Sequence, residues 1–162
     1  MGTATYALAL GSNRRSRFGS PEATITAALE AIGEVRAVSP VLRTAAMGPS
    51  SRAFANAVAL VDSDESPPAM LARVKAVERA FGRRRGRRWG ARVIDIDLVL
   101  WSEGAWSGPG LLVPHPAFRT RAFVLRPLVA VAPGWRDPVG WPVGGRSVRQ
   151  LLALVDRPRP RP

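Results

Sequence analysis

Asp95 and Asp97 stand two residues apart in Val93-Ile94-Asp95-Ile96-Asp97-Leu98-Val99-Leu100, directly after the run Arg83-Arg84-Arg85-Gly86-Arg87-Arg88-Trp89-Gly90-Ala91-Arg92. Residues 93–100 are short, β-branched and apolar, which predicts a buried strand. Alternate strand side chains share a face, so the two aspartates point the same way from neighbouring pleats. Paired carboxylates among apolar neighbours lose water and raise each other's pKa unless a cation lies between them. A divalent metal meets that need, and Mg²⁺ commonly takes one or two carboxylates together with substrate phosphates. The arginines upstream supply forked donors for the same phosphates. Metal ligands beside phosphate clamps point to metal-assisted phosphoryl-type transfer. The plainer alternative is a solvated basic loop whose arginines pair with the aspartates at a strand edge.

The elements that must hold these groups can be read in order. Residues 6–10 form a strand that ends in Gly11-Ser12-Asn13. Ser20-Pro21-Glu22 opens a helix with apolar Ala23, Ile25, Ala27, Ala28, Leu29 and Ile32, and Gly33 stops it. Residues 35–44 read as one strand, which Pro40 confines to an edge or a bulge. Residues 45–53 are loop. Residues 54–61 are a strand in which Asn56 is the lone amide, held by backbone or aimed at a ligand. Residues 62–66 make an acidic turn. Pro67-Pro68 starts a helix with Met70, Leu71, Val74, Val77 and Phe81 at core spacing. Glu78 lies near its C-terminal end, where the macrodipole disfavours a carboxylate; it pairs with Arg79 or Arg83 or accepts a ligand hydroxyl. Residues 102–110 are a Gly-rich hairpin or loop and residues 111–113 a brief strand. His115 is fixed between Pro114 and Pro116; a lone loop histidine is usually unremarkable, but the rigid flanks argue for deliberate aiming. A helix follows from Arg121 to Pro133, then an irregular stretch, then a short helix capped by Ser147. The alternation of Arg and Pro after residue 156 gives an extended tail.

Strand, helix, strand, strand, helix, strand and a helical end is the split βαβ order of α+β, ferredoxin-like α/β/α sandwiches on a mainly antiparallel sheet. The 162 residues fit one domain over 1–156 with a disordered tail over 157–162. There is no cysteine, hence no disulfide framework or thiolate metal site. The absence of a membrane-length apolar run and of a secretory leader leads to the expectation of a cytoplasmic protein. Net charge is +12, but 23 of the 24 basic residues are arginine, which argues for compositional bias over a nucleic-acid partner. No GxxxxGK[ST] loop is present, and one histidine excludes His-rich zinc sites.

Five segments in this order resemble the 6-hydroxymethyl-7,8-dihydropterin pyrophosphokinase family: Ala9-Leu10-Gly11-Ser12-Asn13; Arg43-Thr44 to Gly48-Pro49; Phe54-Ala55-Asn56-Ala57; Arg88-Trp89-Gly90-Ala91-Arg92 with Asp95-Ile96-Asp97; and Val113-Pro114-His115-Pro116 with Arg121-Ala122-Phe123-Val124-Leu125. The resemblance covers residues 6–133. It implies transfer of pyrophosphate from ATP to the pterin hydroxymethyl group in folate biosynthesis, with AMP released. It implies two Mg²⁺ ions on Asp95 and Asp97, with Arg85 and Arg92 also catalytic. Phe54 and Phe123 would sandwich the pterin, with Thr44, Ala46, Met47 and Asn56 at its polar edge. Glu78, Arg83, Arg85, Arg88, Trp89, Arg92, Ile96, His115 and Arg121 would hold ATP, and Gly82, Gly86 and Gly90 would let the arginine loop close. A monomer acting on small molecules, without nucleic acid or membrane, is the corresponding expectation.

Some positions depart from that family's pattern. Ala45, Ala46 and Ala91 stand where proline is usual, Gly110 where some members carry a basic residue, and the loop at 84–87 is one residue shorter and lacks a lysine. Two other readings compete: a basic ferredoxin-like RNA-binding module, and a scaffold that binds pterin without turnover. The first leaves the aspartate pair unexplained, because carboxylates repel a phosphate backbone. The second leaves the combined metal and arginine set without a purpose.

Overall fold

The computed structural model describes residues 2–44, 53–82, 93–139, 145–158 and 160. Its elements are β1 (Ala4–Ser12), α1 (Pro21–Ile32), β2 (Val35–Val38), β3 (Leu42–Thr44), β4 (Phe54–Ser63), α2 (Pro67–Ala80), β5 (Asp95–Trp101), β6 (Trp106–Gly108), β7 (Leu111–Val113), α3 (Ala122–Val131) and α4 (Val148–Val155), with a one-turn 3-10 helix at Phe118–Thr120.

Local chemistry starts the helices where expected. Ser20 and Ser66 accept the backbone N–H three residues on, with proline in the first turn of each helix. Ser147 and Gln150 form a reciprocal capping box at the head of α4. α1 ends at Gly33, whose φ of 78° suits a residue without Cβ.

The sheet runs β2-β4-β1-β5, with β3 also paired to β4, and every pairing is antiparallel. Even-numbered residues of β1 (Tyr6, Leu8, Leu10) and odd-numbered residues of β4 (Ala55, Ala57, Ala59, Val61) pack under α1 and α2 with Met70, Val74 and Ile96. Ala7, Val58, Leu60 and Val99 face the other way, against Leu125, Leu128, Val148 and Leu151 of α3 and α4. The three-layer α+β sandwich is therefore as read. Each fully buried Val, Leu or Ile side chain contributes about 1.5–3 kcal/mol to holding the layers together.

The single strand expected over residues 35–44 is two strands. Pro40 has no N–H for the ladder, so pairing stops there. Ser39 bridges the gap: its N–H donates to Val58 O at 2.9 Å and its hydroxyl accepts from Val58 N at 3.0 Å. β4 also continues two residues past the expected end, to Ser63 opposite Ala4. β5 begins at Asp95 rather than residue 93, and its register shifts where Ala7 and Leu8 oppose Leu100 and Leu98. That bulge lets Val99 and Leu100 both reach the α3/α4 core. Residues 106–113 form a two-stranded hairpin with Gly110 at φ 70° in its turn. Trp101 stacks on Tyr6 and meets Trp106 edge-on, joining hairpin to sheet.

Candidate active site

Strand register assembles the site. Leu42 opposes Asn56, Asn56 opposes Gly11, and Gly11 opposes Asp95, in one row across β3, β4, β1 and β5. Thr44 opposes Phe54, and Ala9 opposes Asp97. Directly paired residues share a face, so Thr44, Phe54, Asn56, Ala9, Gly11, Asp95 and Asp97 all look toward α3. Ala9 carries only a methyl and Gly11 no side chain, so neither fills the space over this part of the sheet. A cavity of about 460 Å³ results, closed above by Arg121, Phe123 and Val124 from the head of α3.

Asn56 is buried and its Nδ2 donates to Thr44 Oγ1 at 3.2 Å, which orients the amide. Gly11 is a close-approach position: a Cβ there would lie 3.3 Å from Asn56 Oδ1 and 3.8 Å from Phe54 Cδ1. Phe123 is 40% exposed, a large apolar ring left at the cavity mouth, with the Arg121 guanidinium 5.7 Å from its centroid.

A second cavity, of about 770 Å³, lies on the other side of the aspartates, between α2, β5 and the β6–β7 hairpin. Lys75 and Glu78 line it from α2, and His115 from the segment after β7. Asp95, Asp97 and Arg121 line both cavities. The two are lobes of one cleft, and the aspartate pair lies at their junction.

Glu78 is only 2% exposed, and its Oε1 accepts the Ile96 amide proton at 2.8 Å. β5 ends the sheet path, so Glu78 provides the acceptor a further strand would have given. The Ile96 side chain itself is buried under α1 and α2. His115 is held by its N–H to Val99 O at 3.0 Å, while its Nδ1 accepts from Ala117 N at 3.2 Å. With Nδ1 occupied as acceptor, the neutral ring carries its proton on Nε2, a donor for a ligand.

Of the residues singled out from sequence, Thr44, Phe54, Asn56, Asp95, Asp97 and Phe123 meet in the first lobe. Glu78, Asp95, Ile96, Asp97 and His115 meet in the second, and Arg121 joins both. Ala46, Met47, Arg83, Arg85, Arg88, Trp89 and Arg92 lie outside the described residues. The sequence reading missed Lys75, the only lysine, one helical turn before Glu78; that i, i+3 spacing was its available signal. It also missed the floor made by Ala9 and Gly11, legible only as small residues at alternate strand positions.

Asp95 and Asp97 are the carboxylates that could hold a metal ion where the two lobes meet. Among the described residues no group of three or more His, Asp or Glu gathers to hold an ion alone. Two hard oxygen donors on one strand face fit Mg²⁺, whose remaining ligands come from phosphates and water.

The model of the 7,8-dihydro-6-hydroxymethylpterin-pyrophosphokinase (HPPK) family matches residues 7–133. A Pseudomonas aeruginosa protein named 2-amino-4-hydroxy-6-hydroxymethyldihydropteridine pyrophosphokinase is 40% identical over 152 residues, covering 90% of this chain and 88% of that protein. A Synechocystis protein of the same name is 36% identical over 123 residues, covering 76% of this chain; the match spans 61% of that longer relative. The fold is shared with a Plasmodium falciparum HPPK-DHPS crystal structure at TM-score 0.70 and 14% identity, over 94% of this chain and 44% of that one. By the family match and the shared sequence, this chain belongs to the 7,8-dihydro-6-hydroxymethylpterin-pyrophosphokinase family.

Proposed function

We propose that the protein transfers pyrophosphate from ATP to 6-hydroxymethyl-7,8-dihydropterin, giving the pterin diphosphate and AMP, within folate biosynthesis. The observation that carries this reading is the shared lining of the two lobes by Asp95, Asp97 and Arg121. A flat heterocycle in one lobe and a nucleotide in the other would present their reacting ends to the same charged groups. The hydroxymethyl oxygen would form its bond to the β-phosphorus, the bond from that phosphorus to the α–β bridging oxygen would break, and AMP would leave. The hydroxyl proton would pass to solvent.

In the first lobe, Phe54 on the sheet and Phe123 on α3 would take the pterin between their rings. Asn56 and Thr44, with backbone at Ala46 and Met47, would match its polar edge. Such pairing rejects analogues strongly because a mismatch strands buried polar groups. In the second lobe, His115 and Arg121 would bind phosphate oxygens, with Glu78 and Ile96 on the nucleoside side. Arg83, Arg85, Arg88, Trp89 and Arg92 would complete the phosphate enclosure, and its closure would exclude water and prevent ATP hydrolysis. Gly82, at φ 104°, stands at the start of that segment, in a backbone conformation natural to glycine.

Asp95 and Asp97 would hold two Mg²⁺ ions. When bound, these would neutralise the triphosphate and favour ionisation of the attacking hydroxyl. With positioning and charge neutralisation supplied in this way, no strong protein base is required. Both lobes form within one chain, which supports a monomer acting on small molecules, and we place it in the cytoplasm. No helix of the described residues is long and apolar enough to cross a membrane.

The test is AMP release from ATP. It is expected only when both Mg²⁺ and the hydroxymethyldihydropterin are present. Pterin-independent AMP release, or none at all, would reject the reading.

A further inference from the structure

The segment that carries His115 and Arg121 into the nucleotide lobe is tied to the rest of the protein by a residue far along the chain. Asp137 is 4% exposed, and both its oxygens accept from the Arg119 guanidinium: Oδ2 from Nε and Oδ1 from Nη2 at 2.8 Å. Oδ1 also accepts from Val139 N at 3.0 Å. The Asp137 N–H donates to Arg146 O at 2.9 Å, and Gly145 packs so closely that a Cβ would lie 2.4 Å from Asp137 O. Asp137 is therefore fixed in position, and Arg119 meets it with a planar fork. Arg119 belongs to the 3-10 turn Phe118–Thr120, and its guanidinium lies 5.0 Å from the ring centroid of the buried Phe118. The turn follows His115, whose carbonyl accepts Phe118 N at 3.1 Å, and precedes Arg121, whose N–H donates to Phe118 O at 3.4 Å. Neither Arg119 nor Asp137 lines either lobe.

We propose that Arg119 and Asp137 are a positioning pair: the partly buried Arg119 fork on the buried Asp137 carboxylate fixes the 3-10 turn and so sets where His115 and Arg121 present their donors to the transferring phosphates. The catalytic part of this inference rests on the nucleotide lobe proposed above. With Asp137 buried and Arg119 partly exposed, replacing both charges by apolar groups is expected to cost little stability, whereas a small displacement of phosphate donors lowers turnover strongly. Stability and turnover therefore separate the two roles.

The experiment uses the full chain carrying Arg119→Met together with Asp137→Leu, which removes both charges and leaves none buried alone. Arg119→Lys is made beside it; that variant keeps the charge but loses the fork. The single histidine gives a direct readout, because its ring protons are the only such signals in the NMR spectrum. The double variant is expected to melt close to the wild type and to show shifted, broadened His115 signals. Its kcat is expected to fall roughly 10- to 100-fold, with a raised KM for ATP and pterin affinity within about threefold. Arg119→Lys is expected to move the same quantities in the same direction by less. Folded variants with wild-type His115 signals, or with wild-type kcat and ATP KM beside an active wild type, would overturn the pair's role. An inactive wild type would instead reject the pyrophosphokinase reading, and the His115 signals would still decide whether the pair positions this segment.

Discussion

Glu78 Oε1 accepts the amide proton of Ile96, the residue between Asp95 and Asp97, at 2.8 Å. A carboxylate at the end of α2 thus holds the strand that presents both candidate metal ligands, while also lining the second lobe. Glu78→Ala leaves the Ile96 N–H buried without this acceptor, so a stability loss of about 1–3 kcal/mol is expected, together with lower turnover. Glu78→Gln keeps an acceptor oxygen and should recover most of the stability. Denaturant unfolding of both variants checks this, and equal stabilities for Ala and Gln would exclude the strand-holding role.

Asp97→Ala should lower turnover by at least about 10³-fold, because metal-borne charge stabilisation amounts to several kcal/mol. Pterin affinity should change little, since Phe54, Phe123 and Asn56 remain. The check is kcat by AMP release alongside pterin binding by fluorescence. Retention of wild-type kcat would remove Asp97 from the metal site.

Gly11→Ala places a methyl 3.3 Å from Asn56 Oδ1. Asn56 must then shift from the orientation its bond to Thr44 gives it. We expect pterin Kd to rise about tenfold, equivalent to about 1.4 kcal/mol, with ATP affinity nearly unchanged. Calorimetric titration of each ligand separately tests this, and an equal loss for both would place Gly11's influence elsewhere.

Burial, with a smaller contribution from nearby Glu65, pushes the Tyr6 phenol up from 10.0 to about 12. Its hydroxyl donates to Glu65 O at 2.5 Å. The unfolded chain releases this proton near pH 10 while the native state keeps it to about 12, so the native state binds more protons between these values. Stability is therefore full below about pH 10 and falls as pH rises toward 12. Tyr6→Phe should flatten this alkaline decline while lowering stability at neutral pH through the lost hydrogen bond. Unfolding midpoints across the range measure both effects; an unaltered alkaline decline in the variant would exclude Tyr6 as its source.

Much of the site was legible because its main signals are local. Period-two alternation put Asp95 and Asp97 on one strand face before any partner strand was known, and the register bears this out. Ser20, Pro67 and Ser147 marked helix starts through contacts within a few residues. The break at Pro40 was half legible: proline announces a missing donor, but the bridge from Ser39 to Val58 needs a strand 19 residues away.

Sequence alone thus determined which residue types could share a metal and which stretches would form strands and helices, since those follow from neighbours within a turn or a pleat. Tertiary structure decided that Gly11 joins Asp95 to Asn56, that Glu78 turns to Ile96, that Arg121 lines both lobes and that Arg119 reaches Asp137. Each of these depends on strand register or on packing between elements distant in the chain. No short-range periodicity encodes such a pairing; it exists only once the two faces of the sheet are covered and the remaining polar groups must find partners.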